Sequence, residues 1–353
     1  MSDEAVIVLP DGVTQRQIAD AIGISISTVS RALAGHPRVS VRTRSDVIRA
    51  IDRLNRNMSP AEMGSDQRRV IGLTHSHLVD GPALRSLDVI LEQVLGGAET
   101  AARGAGYMLY TVQNSHQISD KADDPFFREV QGVIMAGGLV SPVLVDAIRA
   151  NGIPAVIIGG HLPNSGIPSV GSHNLQGMRS AVSHLIALGH RRIGLVNGPT
   201  DTFTSFEKKS GYLAALAEAG IAPDLSLIRW HDGPSGFDVE DAIAMTGELL
   251  DLQERPTAIV FASDSMALAG CVACRTRNLA IPADISIVGY HDDPDAQMAS
   301  PQLTSVRVNR FDWGAAAVRR MLAAIHGAQS TDDRLMLPTQ LIVRGSTAAP
   351  PAN

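Results

Sequence analysis

The sequence predicts an α/β chain: a small N-terminal three-helix helix-turn-helix head followed by two doubly wound parallel-sheet subdomains. Three observations predict it. Arginines crowd into one N-terminal stretch, that stretch carries a helix cap and a glycine turn, and the remainder alternates short continuous apolar runs with amphipathic ones. At 353 residues the chain is long enough for two or three domains. With 44% hydrophobic and 19% charged residues it is globular in composition, which excludes wholesale disorder. No apolar run approaches the roughly 18 residues that span a bilayer, so no membrane partner is expected. The start, Met1-Ser2-Asp3-Glu4, is acidic, and Ala5 to Leu9 is too short for a signal-peptide core. Two cysteines make no disulfide framework, and the expected location is cytoplasmic.

The net charge of −6 hides an asymmetry. From Val13 to Met58 there are eight arginines, no lysine and only Asp20, Asp46 and Asp52 as acids, a surplus of five positive charges. A basic segment on an acidic body points to a dedicated polyanion-binding head, although such runs are often only a solvated face.

Within that segment Thr14-Gln15-Arg16-Gln17 reads as a capping box, and Ile18, Ala19 and Ile22 recur at helical spacing. Gly23 stands where a helix end needs a left-handed residue. Ser25 is placed to cap a second helix whose Val29 and Leu33 give it a buried face. A third helix is expected from near Ser40, with Val47, Ile48, Ile51 and Leu54 on one stripe. Helix, glycine turn and helix make the helix-turn-helix pattern, whose second helix enters the major groove of DNA. Ile26 and Ser27 then face base edges, and Arg31, one turn on, presents a fork to guanine O6 and N7. Thr28 and Ser30 are short hydroxyls suited to phosphate oxygens, and Thr14 and Ser25 join them at the backbone after serving as caps. Ile26 lies seven residues before Leu33, so a core role is its competing reading.

The stretch Val13 to Gly35, and above all Ile24-Ser25-x-x-Thr28-Val29-Ser30-Arg31, resembles the head of the lactose/galactose-repressor family of bacterial transcription regulators. Val39-Ser40-x-x-Thr43-Arg44 is similar to the start of that family's third helix. The resemblance implies that the next segment, 57–69, is a hinge that folds on operator DNA and wedges an apolar side chain into the minor groove. The family's usual lead-in is replaced here by Asn55-Arg56-Asn57-Met58-Ser59-Pro60, and Met63 takes the wedge position. Pro60 suits a first helical position and Gly64 weakens the helix, so a plain tether is the alternative.

The body begins with the short apolar strand Val70-Ile71-Gly72-Leu73, then a long helix with Leu84, Leu87, Leu91, Val94, Leu95 and Ala98 on one stripe. Further strands are expected at Gly106–Tyr110, Gly132–Ala136 and Ile153–Ile158, and in the second half at Arg192–Val196, Ala258–Phe261 and Ile285–Gly289. Continuous apolar strands alternating with helices imply parallel sheets covered on both faces, with ligand at the strand C-termini. The family resemblance continues through Gly189-His190-Arg191-Arg192-Ile193-Gly194, Pro256-Thr257-Ala258-Ile259, Ser263-Asp264, Ile281 to Tyr290, Leu303-Thr304-Ser305-Val306 and Leu337-Pro338. It implies a periplasmic-binding-protein-like body crossed three times by the chain, near 168, 307 and 331. The expected domains are thus 1–56 (head), 57–69 (linker), 70–168 with 307–330, 169–306 with 331–346, and a tail, 347–353.

Effector residues are expected just past the strand ends: His75 and His77, Lys208, Phe237, Ser263 and Asp264, and His291. Lys208 stands where the family has an arginine, so a bidentate fork becomes a point charge. His291 stands where the resemblance implies aspartate, and Phe237 where it implies an aromatic that stacks on a sugar ring. Competing readings are a surface lysine for Lys208, a helix-start acid for Asp264 and strand-end caps for His75 and His77. The implied effector is a small carbohydrate, with the histidines and lysine hinting at a sugar-acid-like one.

Cys271-Val272-Ala273-Cys274 has redox spacing but falls within an expected helix, so two buried cysteines are the better reading. His75-x-His77 and His291-Asp292-Asp293 fix no four-ligand set, and no metal or cofactor is expected. Dinucleotide, nucleotide-triphosphate and serine-hydrolase motifs are missing, so an enzyme is not expected. The expected function is a sequence-specific transcription regulator, a repressor, that binds double-stranded operator DNA as a homodimer under allosteric control by the effector. The alternatives are a sugar-binding protein without a transcriptional role and a sugar-converting enzyme. The stripe from Leu84 to Leu95 is the candidate dimer face, with packing on its own sheet as the competing use. Tetramers are not expected, because only a Pro/Ala tail follows Leu341.

Overall fold

The computed structural model describes residues 14–33, 36, 39, 43, 47, 50–51, 69–75, 84–113, 124–137, 140–231, 239–328 and 333–351; at 75, 84–90 and 113 it describes the backbone alone. The chain divides into two compact units, Met1–Arg68 and Arg69–Asn353.

In the first unit, α1 (Gln15–Ile22) and α2 (Ile26–Leu33) form the helix-turn-helix. Thr14 Oγ1 accepts from the Gln17 N–H at 3.2 Å and Gln17 Oε1 accepts from the Thr14 N–H at 2.8 Å, the reciprocal capping box. Gly23 ends α1 at φ 68°, a left-handed conformation that costs glycine nothing. Ser25 Oγ accepts from the Thr28 N–H at 3.1 Å and so caps α2. Ile18, Ala19, Val29, Ala32 and Leu33 close a small core with Val47, Ala50 and Ile51 of the helical segment beyond. Ile48 and Leu54, also expected on that face, lie outside the described residues, as does the start near Ser40.

The second unit holds two six-stranded sheets. In chain order its elements are β1 (Val70–His75), α3 (Leu84–Gly104), β2 (Met108–Gln113), α4 (Pro125–Glu129), β3 (Val133–Ala136), α5 (Pro142–Ala150), β4 (Ala155–Ile158), β5 (Ser169–Ser172), α6 (Asn174–Ala187), β6 (Ile193–Pro199) and α7 (Phe203–Glu218). There follow β7 (Ile228–His231), α8 (Val239–Leu250), β8 (Ala258–Phe261), α9 (Asp264–Thr276), β9 (Ser286–His291), α10 (Pro294–Met298), β10 (Thr304–Val308), α11 (Arg310–Ile325), β11 (Arg334–Leu337) and β12 (Thr339–Ile342). One sheet runs β11-β5-β4-β3-β1-β2, all parallel, and the other β12-β10-β9-β8-β6-β7, parallel except for β12 on β10. Strands such as Val133-Ile134-Met135-Ala136 and Ala258-Ile259-Val260-Phe261 are buried on both faces, which is why they read as continuous apolar runs.

The sheets correct two of the expected crossings. β5 pairs with β4 and β11 with β5 in the first sheet, while β10 and β12 belong to the second. The chain therefore crosses at His173 and at Pro338, not near 168 and 331, while the crossing at Asn309 falls near the expected 307. The physical reason is that backbone pairing carries β5 and β11 on as edge-side strands past the point where their apolar runs stop.

The helical layer is closed by backbone approach. A Cβ on Gly314 of α11 would overlap the carbonyl oxygen of Val94 in α3, and one on Gly97 would overlap that of Phe311. Val94 is accordingly 2% exposed and packed within its own chain, with Leu91 and Leu95 partly buried beside the same core. These three members of the candidate dimer stripe serve the competing use, intramolecular packing; the side chains of Leu84 and Leu87 lie outside the described residues. Cys271 and Cys274 are buried in α9, as read from the sequence, and burial pushes their thiols up to about 11 and about 12. Among the described residues no helix is long and apolar enough to cross a membrane.

Candidate functional site

The first unit offers a polar, solvent-facing helix start. Thr14, Ser25, Ile26, Ser27, Ser30 and Arg31 are exposed and Thr28 is half-buried. Ile26 is 43% exposed and absent from the small core, so the core reading of that residue does not hold. Ser25 Oγ sits 2.8 Å from both Ser27 Oγ and Thr28 Oγ1. Arg31 donates through Nε to the Ser27 carbonyl at 3.1 Å, which lays its guanidinium along the first turn of α2. The surface of α2 thus carries three hydroxyls, an apolar side chain and one arginine, a set that suits phosphate oxygens and base edges. Met63 lies outside the described residues.

In the second unit the strand C-termini collect a polar cluster. Lys208, on α7, is 5% exposed, not the surface lysine of the competing reading. Its Nζ donates to the Ala262 carbonyl at 2.8 Å and stands 4.3 Å from the centroid of the Tyr290 ring. Burial, reinforced by the neighbouring Arg310, lowers this ammonium to about 7. His291 closes β9 and packs edge-on against the same Tyr290 ring, 5.4 Å between centroids. Its backbone is left-handed at φ 111°, and Asp292 follows at φ 61°. The imidazole is held well below its ordinary range by burial, with Arg310 and Lys208 adding repulsion, and its buried Nδ1 has no hydrogen-bond partner.

Ser263 and Asp264 serve the scaffold. Ser263 Oγ caps α9 by accepting from the Met266 N–H at 3.2 Å. Asp264 has no exposed surface; it accepts from Ser305 Oγ at 2.6 Å and from the Asp293 N–H at 2.7 Å. It therefore ties the start of α9 to the loop after β9 and to β10, and burial raises its carboxyl to about 6 against the pull of the Ser305 bond. Gly289 is required beside it, because a Cβ there would overlap Asp264 Oδ1. Of the expected effector residues, the structure brings Lys208, Asp264 and His291 to the C-terminal ends of the second sheet's inner strands. The side chain of His75 and all of His77 and Phe237 lie outside the described residues.

Sequence reasoning missed the residues that join the two halves. Glu207 accepts from Arg334 at 2.6 Å and from Asn174 Nδ2 at 2.9 Å. The Arg334 guanidinium lies over Phe203, 4.5 Å from the ring centroid, and His161 meets that ring edge-on at 5.2 Å. Arg310, 1% exposed, pairs with Asp293. Within the second lobe, Arg307 and Arg344 both pair with Asp292, at 2.7 and 2.6 Å. Arg310 and Arg334 follow or precede the crossings, where no periodicity marks a buried face; the one available signal was Asp293 in the His-Asp-Asp run.

A helix-turn-helix unit followed by two parallel-sheet lobes is the architecture of a DNA-binding regulator. Residues 14–56 match the lacI family of bacterial regulatory proteins, and residues 182–347 match the periplasmic binding protein-like domain. The HTH-type transcriptional regulator MalR of Streptomyces coelicolor is 32% identical over 341 residues, 95% of this chain and 96% of that one. The HTH-type transcriptional repressor CytR of Escherichia coli is 28% identical, over 96% of this chain and 97% of that one. Among solved structures, a complex of the transcriptional regulator CelR with cellobiose superposes with a TM-score of 0.70 at 29% identity, covering 95% of this chain and 99% of that one. The lac repressor dimer bound to operator and the anti-inducer ONPF superposes with a TM-score of 0.68 at 26% identity, covering 96% and 99%. The chain belongs to the lacI family of bacterial regulatory proteins. It is a helix-turn-helix transcription regulator.

Proposed function

We propose that the protein is a repressor that acts as a homodimer on a near-palindromic operator and is released or tightened by a small carbohydrate in the cleft of its second unit. The observation that carries the reading is the exposed face of α2, where Ser27 and Arg31 stand free of the core that Val29 and Leu33 fill. On this reading Ile26, Ser27 and Arg31 touch base edges, and Thr14, Ser25, Thr28 and Ser30 touch phosphates. Met63 is the hinge wedge. His75, His77, Lys208, Phe237 and His291 line the effector site, with Ser263 and Asp264 holding its floor. Residues 1–56 act as the head and 57–69 as the linker, and the protein works in the cytoplasm, as a regulator without a catalytic role. The carbohydrate effector is supported by the cellobiose complex of CelR, and the dimer by the operator-bound lac repressor.

Allostery here is a shift between cleft arrangements, limited by the effector's differential affinity for them. The inter-lobe contacts of Glu207 with Arg334 and of His161 with Phe203 are the contacts that such a shift remakes. Fluorescence anisotropy with the protein's own upstream promoter and a random duplex of equal length tests the reading. Preference for the promoter by ~4 kcal/mol or more is expected at physiological salt. Equal, salt-sensitive affinity for both duplexes would overturn it.

A further inference from the structure

We infer that the effector carries an anionic group, a carboxylate or phosphate on its carbohydrate frame, which Lys208 and Arg310 receive. The inference rests on the effector reading above and deepens it. Lys208 comes from α7 and Arg310 from the start of α11; Lys208 and His291 both meet the Tyr290 ring, and Arg310 pairs with Asp293, whose N–H donates to Asp264, two residues after the Ala262 carbonyl that Lys208 holds.

The cluster holds donor capacity that the protein does not use. Each acid is already engaged by the protein: Asp264 by Ser305 and the Asp293 N–H, Asp293 by Arg310, Glu207 by Arg334 and Asn174, Asp292 by Arg307 and Arg344. Arg310 is 1% exposed, and its Nη2 is buried without a hydrogen-bond partner. Lys208 spends one N–H on the Ala262 carbonyl and faces the Tyr290 ring, and among the described residues no carboxylate forms an ion pair with it.

A buried cation without an ion-pair partner is costly, and so is a buried guanidinium nitrogen without an acceptor. An incoming anion removes both costs at once through charge-assisted bonds, which are about twice as strong as neutral ones. The hydroxyls of a neutral sugar supply acceptors but leave the lysine without an ion-pair partner. The carboxylates of this cluster are each matched by an arginine or by protein donors, and His291 adds a nitrogen and no further carboxylate.

The test uses the full chain and calorimetric titration with matched probes: galactose against galacturonate, and glucose against gluconate and glucose 6-phosphate. At least one charged probe is expected to bind about tenfold or more tighter than its neutral counterpart. A preference for galacturonate or gluconate assigns a carboxylate, and one for glucose 6-phosphate a phosphate. In Lys208→Gln the charge advantage is expected to vanish, and in Lys208→Arg to persist. The wild-type comparison stands even if a variant does not fold. Neutral probes that bind as tightly as charged ones would overturn the inference and leave the carbohydrate reading intact. If no probe of either kind binds at millimolar concentration, the carbohydrate reading falls and this inference with it.

Discussion

Replacing Lys208 with methionine isolates the energetic weight of a cation held inside the second unit. The folded chain lowers this ammonium from 10.5 to about 7. Below about pH 7 both folded and unfolded states carry the proton; above it the folded state releases the proton while the unfolded chain keeps it until 10.5. The unfolded state then binds more protons, so stability rises with pH. Between about pH 7 and pH 9 the gain is roughly 2 units at 1.36 kcal/mol each, about 3 kcal/mol, before the alkaline cost of the buried tyrosines and cysteines enters. Methionine of similar length removes the titration and with it the slope. It also strips the Ala262 carbonyl of its donor, which costs about 1–3 kcal/mol, so the variant at pH 7 is expected to be as stable as the wild type or slightly more so. Urea unfolding of both proteins at the two pH values, with the m-value checked for constancy, measures the difference of slopes. Equal slopes would show that Lys208 titrates in an ordinary environment, and the account of the cleft edge as a strained cationic site would be wrong.

Other outcomes follow from the same contacts. Arg31→Ala is expected to weaken operator binding by ~1–3 kcal/mol and relax preference at one base pair, with a smaller loss on random duplex; unchanged discrimination in an anisotropy assay would reject base reading by this side chain. Gly314→Ala is expected to lower the urea midpoint by the equivalent of about 1–3 kcal/mol, because the new methyl meets the Val94 carbonyl oxygen rather than a flexible side chain. His161, His184, His190 and His291 are all held below 6.5, each first by burial, so the folded state resists their protonation. The histidine contribution to stability should therefore be complete above about pH 6.5 and be lost as pH falls from there through their lowered values, which thermal melts across pH 5 to 7 would detect. Thr14→Ala removes one half of the capping box and should cost about 0.5–2 kcal/mol of head stability, read by the melting of the first unit's helical signal.

The helix-turn-helix pair was legible almost residue by residue, because its signals are local: a hydroxyl followed three places on by glutamine, then a glycine at the helix end, dictates cap and turn without tertiary help. The strands of the body were legible for a related reason, as burial on both faces writes continuous apolar runs such as Val133–Ala136. The crossings were not. Ser169-Val170-Gly171-Ser172 and Arg334-Leu335-Met336-Leu337 owe their place in the first sheet to pairing with strands far away in sequence, and polar or long flexible residues mask them. The cleft edge was half legible. Lys208 and His291 stood out against an expected pattern, whereas Arg310 looked like any arginine after a strand. Its burial is fixed by Asp293, a long-range partner that no local periodicity announces.

The three crossings also set the order in which the body can be finished during synthesis. The first sheet needs β11 and the second needs β12, and these two strands lie side by side near the end of the chain, separated by Pro338 alone. Neither lobe can complete its hydrogen-bonded edge on the ribosome until Arg334–Ile342 has emerged, so both are sealed almost together. Such late, sequence-distant pairing slows folding and leaves open strand edges in the meantime. A truncation before Arg334 would therefore expose the margins of two sheets at once, and would be expected to yield aggregate rather than one intact lobe.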